Sequence, residues 1–369
     1  MVSTYNKAPF LTYDFTVKSK MYQDSYIYSD MISNINKVKG FGYRYSKKSA
    51  IKASLGEHIE RLCATNNYSQ IKEIGSTKPV IDGFHLLTGE FIEVPAEHVF
   101  LNFNLPMFKG TDTSSFYTDS CGLAAHITSE DAIKGAVKEF IERQSLVANW
   151  LTRGVGEKIS FEKIINKNPD HKSLLSLIKH VKTMSDKIIS FNISLIKGIY
   201  VVLTIGYKGE AFSTGLGTDG NLAKAMENSL SEYLMILEAC MLIKRNSENI
   251  IDSNEKYAVN FYSLTIEGFL NAFQYLFESK YELPESLYSS KTNDFHQWIL
   301  DLKQLFGINL YACYLPHPLK NITSKVVKVV SPEGFPHIDT ESFDPAQFEI
   351  SNHLKKNDFY NKFKSIPFA

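Results

Sequence analysis

Three short helical segments place carboxylates among apolar residues, and these carboxylates carry the chemistry that the sequence predicts. The first segment contains Glu57 and Glu60, the second contains Glu139 and Glu142, and the third contains Glu232. A buried carboxylate is unfavourable unless a cation or a hydrogen-bond donor meets it. Several such carboxylates converging from separate helices therefore indicate a site for a metal ion and phosphate groups.

The sequence argues for burial more strongly on the second and third helices than on the first. On the second helix, Glu139 shares its face with Leu146 and Trp150, and a solvated face rarely carries such bulky apolar side chains. On the third helix, Glu232 falls within the apolar stripe. The face that carries Glu57 on the first helix also fits an ordinary solvated surface, and that alternative stays open.

Magnesium with a nucleotide fits these side chains better than a di-iron bundle, which usually requires Glu-x-x-His pairs. Mg²⁺ prefers oxygen ligands and is commonly held by a few carboxylates together with substrate phosphates. Arg61 and Arg143 follow the glutamates and could neutralise phosphate oxygens. The alternative for Glu232 is a buried salt bridge to one of these arginines. The chain lacks the GxxxxGK[ST] pattern, and Gly215-Leu-Gly217 fits a plain turn better than a phosphate cradle.

The composition favours a globular protein outside the nucleic-acid and membrane classes. The 369 residues include 40 Lys+Arg and 40 Asp+Glu, so no overall field attracts nucleic acid or an anionic membrane. The chain has no apolar run of about 18 residues, as a spanning helix would need. Residues 1–15 lack the form of a secretory signal. The predicted compartment is therefore the cytosol.

The four cysteines fit core packing better than a metal site, since none forms a CxxC pair. Cys63, Cys240 and Cys313 are predicted to be core thiols because they lie on apolar helix faces or in a strand-like run. Cys121 lies in a turn-like segment and could be a nucleophile, although no His/Asn partnership is visible. The nucleophile is therefore the less favoured interpretation of this residue.

The alternation of helical and extended patterns predicts one intertwined α/β domain without repeats or linkers. Helices are predicted at 47–65, 129–150, 172–184, 222–242 and 295–305. Extended segments are predicted at 79–82, 90–94, 188–193, 199–205, 309–314 and 325–330. A turn-rich stretch is predicted at 213–220. The polar segment 246–291 is predicted to be a peripheral insertion of helices and loops that carries no chemistry.

The three carboxylate segments resemble the YcaO family, whose members bind ATP and magnesium through carboxylates on helices rather than through a P-loop. The family pattern Ser-x-x-Glu-x-x-Glu-Arg is found at 54–61. A Gly-Leu-Ala turn at 122–124 precedes Glu-x-x-Glu-Arg at 139–143, and a third helix contributes Glu232. The resemblance spans roughly 40–242 together with 326–332.

Within the family, four segments resemble the cyclodehydratase subunit of microcin-B-type azole-peptide synthetases. They are 119–122, 139–146, 329–332 and the C-terminal 366–369. Two features depart from the family pattern. Met235 stands where many members carry Gln, and Pro367 alone remains of the Pro-x-Pro-x-Pro tail common in azole-forming members.

The resemblance implies an α+β fold over residues 1–369, with mixed sheets flanked by helices and a nucleotide site between helices. The implied ligands of ATP are Ser54, Glu57, Glu60, Arg61, Glu139, Glu142, Arg143 and Glu232. The implied ligands of Mg²⁺ are the five glutamates of this set. Glu139, Glu142 and Arg143 are the implied catalytic residues. His126 is a candidate for proton transfer, although a hydrogen-bonded turn histidine is the simpler interpretation, and the Ala369 carboxylate is a candidate base.

The resemblance further implies ATP-dependent cyclodehydration of Cys, Ser or Thr in a ribosomal precursor peptide, giving thiazolines or oxazolines in the biosynthesis of a bacteriocin-like product. The implied partners are that peptide, a leader-binding E1-like protein, an FMN-dependent azoline dehydrogenase and a second copy of the chain. Two alternatives stay open. One is thioamide or macroamidine formation by the same ATP chemistry, and the other is a non-catalytic ATP-binding scaffold subunit.

Overall fold

The computed structural model describes most of the chain, and the structural statements below concern the described residues. These are residues 2–5, 15–22, 26–33, 39–44, 46–66, 80–101, 119–246, 256–292, 294–317, 323–354 and 358–368. Helices alternate with antiparallel strands along them, which confirms the predicted α/β class.

The helices of the described residues, in chain order, begin and end as follows. They are α1 (Lys47–Asn66), α2 (Ser129–Thr152), α3 (Phe161–Lys167), α4 (Lys172–Met184), α5 (Leu222–Asn246), α6 (Lys256–Ser263), α7 (Ile266–Ala272), α8 (Gln274–Phe277), α9 (Phe295–Phe306) and α10 (Glu349–His353). The five helices predicted from the sequence are confirmed as α1, α2, α4, α5 and α9, with ends that agree to within about one turn.

The strands form three sheets. They are β1 (Val2–Tyr5), β2 (Phe15–Tyr22), β3 (Tyr26–Ser33), β4 (Lys39–Arg44), β5 (Val80–His85), β6 (Phe91–Pro95), β7 (Leu123–His126), β8 (Glu157–Ile159), β9 (Lys187–Asn192), β10 (Tyr200–Lys208), β11 (Ala211–Asp219), β12 (Tyr311–Leu315) and β13 (Lys325–Val330). The sheet orders are β1-β2-β3-β4, β6-β5-β12-β13-β7 and β11-β10-β9-β8. Strands β4, β7 and β11 therefore each lie at a sheet edge.

The chain forms two compact lobes, and each lobe is drawn from two stretches of sequence. Lobe 1 comprises Met1–Arg143 and Leu302–Ile338, and lobe 2 comprises Gln144–Asp301 and Asp339–Ala369. The intertwined domain that the sequence predicts is thus resolved into two lobes whose stretches alternate along the chain. Lobe 1 holds the first two sheets, and lobe 2 holds the third.

The core of lobe 1 fixes helix α1 against strand β7. Ile59 and Cys63 on α1 pack in one apolar cluster with Leu123 of β7 and Val326 of β13. Burial of apolar surface is the main contribution that holds such a helix on a sheet. Cys63, Cys240 and Cys313 are all buried free thiols, which confirms their predicted place in the core.

The stretch 213–220 is not a turn, and this prediction is wrong. Residues 211–219 form the edge strand β11, which pairs with β10 over its whole length. Gly215 and Gly217 face α5, where an added Cβ would lie 2.1 Å from Ser229 O and 2.4 Å from Ala225 O, respectively. The glycines are therefore present because a helix backbone lies directly on this strand, and not because the chain turns.

The segment 246–291 contributes buried aromatic side chains to lobe 2 where the structure describes it, and its assignment as a peripheral insertion stays a prediction. Its helices bury Phe261, Phe269 and Phe273 in lobe 2. The Phe269 ring stacks on Phe212 of β11 with a centroid distance of 4.5 Å. The helices are only four to eight residues long, so apolar periodicity could not develop in the sequence.

Among the described residues, the structure has no helix with the length and hydropathy that a membrane span requires.

Candidate functional site: anchored carboxylates

Glu57 is held by the edge of the first sheet. The Phe41 N–H on β4 donates to Glu57 Oε2 at 2.5 Å. Arg61, one helical turn later, places Nη2 2.7 Å from Glu57 Oε1, and its guanidinium lies 5.9 Å from the Phe41 ring centroid. Both side chains keep about a third of their surface exposed, at 29% for Glu57 and 32% for Arg61. This pair can therefore meet a ligand from solvent.

Two further glutamates converge on β7, the edge strand of the second sheet. The Leu123 N–H donates to Glu139 Oε2 at 3.1 Å, and the Ala125 N–H donates to Glu60 Oε1 at 2.7 Å. Glu139 comes from α2 and Glu60 from α1, so the edge of one strand gathers carboxylates from two helices. Unpaired N–H groups of an edge strand are natural hydrogen-bond donors, and these carboxylates also protect the edge.

Burial disfavours the ionised form of the two glutamates that β7 anchors. Burial raises the pKa of Glu60 to about 7, although the Ala125 N–H opposes the rise. Burial also raises the pKa of Glu139 well above its ordinary value, and Arg143 and Lys328 compensate for this only in part. An added cation would therefore stabilise the ionised form of both groups.

Glu142 and Arg143 lie on α2, three and four residues after Glu139. Their side chains are mostly buried, with 13% and 16% of their surfaces exposed, and Arg143 Nε lies 3.8 Å from Glu142 Oε1. The sequence-based prediction that these charges are shielded from solvent is confirmed for both. Lobe 1 thus holds six predicted site residues on α1 and α2, and N–H groups of β4 and β7 bind three of the glutamates. The six residues are Glu57, Glu60, Arg61, Glu139, Glu142 and Arg143.

Lys328 is a charged residue of this region to which sequence reasoning assigned no role. It lies on β13 with 4% of its surface exposed, and its Nζ donates to Asp119 O at 2.7 Å. The Asp119 carboxylate accepts the Cys121 N–H at 2.8 Å and the Ile338 N–H at 2.9 Å. The sequence does contain a signal for this residue, because Lys328 stands between valines in the predicted strand Lys325–Val330.

Burial decides the protonation state of Cys121 and His337, and the charges around Asp119 modify it. Although burial opposes it, the charges of Lys328 and His337 hold the pKa of Asp119 below its ordinary value. Burial raises the pKa of Cys121 well above its ordinary value, and the Asp119 charge adds to the rise. Burial lowers the pKa of His337 to about 4. Cys121 is therefore a protonated thiol, which argues against a role as nucleophile.

Glu232 is held in lobe 2 in the same manner as Glu57 is held in lobe 1. The Leu216 N–H on β11 donates to Glu232 Oε2 at 2.5 Å. Met235 and Ile236 follow it, at the positions that Glu60 and Arg61 occupy after Glu57. The third helix thus supplies the anchored glutamate without the Glu-Arg pair.

Three strand–helix modules therefore share one hydrogen-bonding arrangement. We define the modules as β4–α1, β7–α2 and β11–α5. In each, an edge strand donates an N–H to a glutamate located 16 residues later, on the helix that follows. Few residue types are common to the modules, and long unrelated segments separate them, so the sequence showed no periodicity.

Three remaining predicted site residues differ in their surroundings. Ser54 is fully buried, and its hydroxyl donates to Ile51 O at 3.0 Å, which gives it a place in helix–strand packing. His126 ends β7 with its side chain 45% exposed and its Nδ1 3.2 Å from Asp131 Oδ2, as expected for a hydrogen-bonded turn histidine. Ala369 lies outside the described residues.

The donor set suits Mg²⁺ and phosphate. Its ligand atoms are carboxylate oxygens, which Mg²⁺ prefers, and its guanidinium groups suit phosphate oxygens. The described residues hold no group of three or more His, Cys, Asp or Glu side chains arranged around one ion. That is usual for Mg²⁺, which keeps waters and substrate phosphates as ligands and needs only one or two carboxylates.

Residues 73–334 match a family model described as YcaO cyclodehydratase, ATP- and Mg²⁺-binding. The chain belongs to the YcaO family. The match covers modules β7–α2 and β11–α5 in full, so two of the three anchored glutamates lie within it. The YcaO resemblance that the sequence showed is thereby confirmed.

A curated relative of this YcaO chain is the microcin B17-processing protein McbD of Escherichia coli. The two are 27% identical over 271 residues, which is 70% of this chain and 65% of that protein. The E. coli microcin synthetase McbBCD complex with pro-MccB17 bound contains a chain that matches with a TM-score of 0.76 and 20% identity, over 100% of both chains. The YcaO of Methanopyrus kandleri bound with AMPPCP and Mg²⁺ matches with a TM-score of 0.65 and 18% identity, over 85% of this chain and 84% of that one.

Proposed function

We propose that this protein is an ATP-dependent cyclodehydratase that converts Cys, Ser or Thr of a ribosomal precursor peptide into a thiazoline or oxazoline. The observation that carries the proposal is the pair of carboxylates, Glu60 and Glu139, that the edge of β7 anchors by hydrogen bonds and whose pKa values are raised by burial. Mg²⁺ with the phosphates of ATP would supply positive charge together with anionic groups for the two arginines. Support also comes from the family model and from McbD, a microcin-processing protein.

The proposed reaction has two stages. The side-chain thiol or hydroxyl of the peptide loses its proton and attacks the preceding backbone carbonyl carbon, giving a ring with an oxyanion. The oxyanion then attacks the γ-phosphorus of ATP, and ADP leaves. The ring nitrogen loses its proton, a C=N bond forms, and phosphate departs with the former carbonyl oxygen. The peptide loses one water in total, and ATP becomes ADP and phosphate.

The residues of the site would contribute position and charge to this reaction. Phosphoryl transfer depends mainly on alignment and on neutralisation of the equatorial oxygens. Glu57, Glu60, Glu139, Glu142 and Glu232 are the proposed ligands of Mg²⁺ or the nucleotide. Mg²⁺, when bound, would offset negative charge on the phosphates. Arg61 and Arg143 would contact phosphate oxygens or orient the adjacent glutamates, and Ser54 would support the helix that carries Glu57.

The proposed groups for accepting the nucleophile's proton are His126 and the C-terminal carboxylate of Ala369. The chain that leads to Ala369 is well anchored in lobe 2. Ile366 and Phe368 are buried there, and Trp150 Nε1 donates to Lys364 O at 3.0 Å.

The proposed partners are the precursor peptide, a leader-binding E1-like protein, an FMN-dependent azoline dehydrogenase and a second copy of this chain. The McbBCD structure shows a homologous chain in a synthetase complex with pro-MccB17 bound. Azolines are cyclic imine-type products that a two-electron oxidation converts to aromatic azoles. A dehydrogenase is therefore the class of enzyme that would consume this product.

The proposal is tested by incubating the protein with Mg-ATP, a leader-binding partner and a precursor rich in Cys and Ser. We expect each modified residue to lose one water with release of one phosphate, measured by mass spectrometry and a phosphate assay. Replacement of a backbone oxygen by sulfur would instead show thioamide formation. ATP binding without any change in the peptide would show a scaffold subunit. Either of these results would overturn the proposal.

We expect Mg²⁺ affinity to depend on pH through Glu60. The raised pKa means that the folded protein holds this proton between pH 4.5 and about 7, where the unfolded chain has lost it. The bound proton stabilises the folded state, and this contribution to the free energy of unfolding is therefore lost as pH rises from 4.5 to about 7. Mg²⁺ must displace the proton, so its apparent affinity should rise about tenfold per pH unit below pH 7.

Thermal melts with and without Mg²⁺, from pH 5 to about pH 8, measure this dependence. The control is Glu60→Gln, which removes the titrating group but keeps an acceptor for the Ala125 N–H. We expect the Mg²⁺-induced shift in melting temperature to grow with pH in the wild type and to grow less in the variant. Equal growth in both proteins would contradict the assignment of Glu60.

A further inference from the structure

The three strand–helix modules align without a gap from their first glycine to their glutamate. Three aligned positions hold the same residue type in every module, namely a glycine, an alanine and a glutamate. In module order these are Gly40, Ala50 and Glu57, then Gly122, Ala132 and Glu139, and then Gly215, Ala225 and Glu232. The spacing is the same along the whole strand, turn and helix of each module. Gly122 differs in its contact, because its φ is +73° and a Cβ added there would lie 2.4 Å from Val329 O and not against the helix backbone.

The helix caps also correspond in the three modules. Ser46, Thr128 and Asn221 occupy one aligned position before α1, α2 and α5. The side-chain oxygen of each accepts a hydrogen bond from the backbone N–H three residues later, at 3.1–3.2 Å. Capping oxygens of this type fix where a helix begins. Each module therefore starts its helix at the same point relative to the edge strand.

In the first and third modules, strand glycines admit the helix backbone. A Cβ added at Gly40 would lie 2.2 Å from Ser54 O, and one at Gly215 would lie 2.1 Å from Ser229 O. Ser54 and Ser229 are aligned, so the same contact is built twice. The helix can lie so close because the strand has no side chain at that position.

In the second module, the glycine of the strand–helix contact lies on the helix, whereas in the first module it lies on the strand. In the first module, Gly42 on the strand lies over Ala53 on the helix, where an added Cβ would be 3.0 Å from the Ala53 Cβ. In the second module, Ala124 on the strand lies over Gly135 on the helix, with 3.0 Å between the Ala124 Cβ and a Cβ added at Gly135. One member of the pair is thus glycine in each case.

The third module has the same pair as Gly217 and Asn228, where an added Cβ at Gly217 would be 2.8 Å from the Asn228 Cβ. In all three modules the helix member of the pair lies four residues, or one turn, before the anchored glutamate. The contact distance at this pair therefore governs how far the next turn, which carries the glutamate, stands from the strand N–H.

We propose that this strand–helix pair is a positioning device for the site carboxylates. Its glycine sets the distance at which each glutamate reaches the edge-strand N–H, and the hydrogen bond then fixes the carboxylate that serves Mg²⁺ and the nucleotide. The inference rests on the proposed function for the role of the carboxylates. The hydrogen bond that anchors each carboxylate does not depend on that function and can be measured without ligand.

The test uses the natural exchange in the second module. Gly135→Ala adds a methyl group against Ala124, and Ala124→Gly with Gly135→Ala recreates the arrangement of the first module. Gly56→Ala is the control, because it also replaces a glycine within a helix, one residue before a site glutamate, and its Cβ would meet nothing within 4 Å. The readouts are the KM for ATP at saturating peptide, Mg-ATP binding by calorimetry, and amide hydrogen exchange at Leu123.

We expect Gly135→Ala to raise the KM for ATP about tenfold, since small displacements of catalytic groups have effects of this order or larger. The Leu123 amide should exchange faster in the same variant. The double variant should return both values to within about twofold of the wild type, and Gly56→Ala should leave both unchanged. Wild-type values in Gly135→Ala, or the absence of any rescue in the double variant, would overturn the inference.

The exchange measurement separates this inference from the proposed function. If the wild-type protein neither binds nor hydrolyses ATP, the proposed function fails, and the Leu123 exchange rates of the same variants still report whether the pair anchors Glu139. Faster exchange with rescue would then support the anchoring device alone. Unchanged exchange would reject the device even in a protein that is active.

Discussion

Glu139→Gln is expected to reduce ATP turnover by about 10²- to 10³-fold, the usual effect of removing one preorganised electrostatic group. The substituted amide keeps an oxygen that can accept the Leu123 N–H, which the carboxylate now receives at 3.1 Å. Burial already disfavours the charged form of Glu139, so its removal should not destabilise the fold. Peptide-dependent phosphate release and a thermal melt measure the two effects.

Glu130→Gln is the matched control for this variant. Glu130 lies on the same helix, but its side chain is 76% exposed and pairs with Lys134 at 2.6 Å. We expect wild-type turnover and stability from it, since exposed ion pairs contribute little. Turnover near the wild-type rate in Glu139→Gln would reject the site assignment. Loss of folding in Glu139→Gln would show that the group is structural instead.

Lys328→Met is expected to lower the free energy of unfolding by about 3–5 kcal/mol, as is typical when one partner of a buried charge pair is removed. Methionine has a similar length and apolar character, so packing on β13 should change little. The loss would come from the buried charge that Lys328 now compensates, chiefly the Asp119 carboxylate. Denaturant unfolding followed by circular dichroism measures it.

Lys325→Met provides the comparison, because it removes a lysine from the same strand. Lys325 is only partly buried, and its Nζ lies 6.0 Å from the Tyr314 ring centroid. We expect its effect to stay within about 0.5 kcal/mol. Adding Asp119→Asn to Lys328→Met should recover about 1 kcal/mol or more, because the unpaired carboxylate is then removed. Strictly additive losses would contradict electrostatic coupling between Asp119 and Lys328.

Much of the helical structure could be predicted because helix signals are local. Apolar periodicity indicates α1, α2 and α5 within the sequence itself. Strand β7 has only four residues, and no local signal specifies how the strands of the sheet β1-β2-β3-β4 pair. Neither this strand nor this sheet was therefore predicted from the sequence. The glycines of β11 were misread as a turn because their reason is the α5 backbone packed on them.

The candidate site could be predicted only as a set of residue types. The sequence by itself determined which glutamates and arginines share helices and which of them lie among apolar neighbours, because side-chain periodicity is a property of the helix alone. That was sufficient to propose carboxylate chemistry with a cation and phosphate. The YcaO resemblance then added the nucleotide and the reaction.

Only the tertiary structure decided what each carboxylate contacts. The N–H groups of Phe41, Leu123 and Leu216 became donors because their strands lie at sheet edges, and edge position depends on pairing between distant segments. The balance of charge around Glu139 depends on Lys328, which is 189 positions away in sequence and reaches the region through sheet order. Desolvation and the direction of hydrogen bonds are set by packing, so a linear pattern of charges cannot specify them.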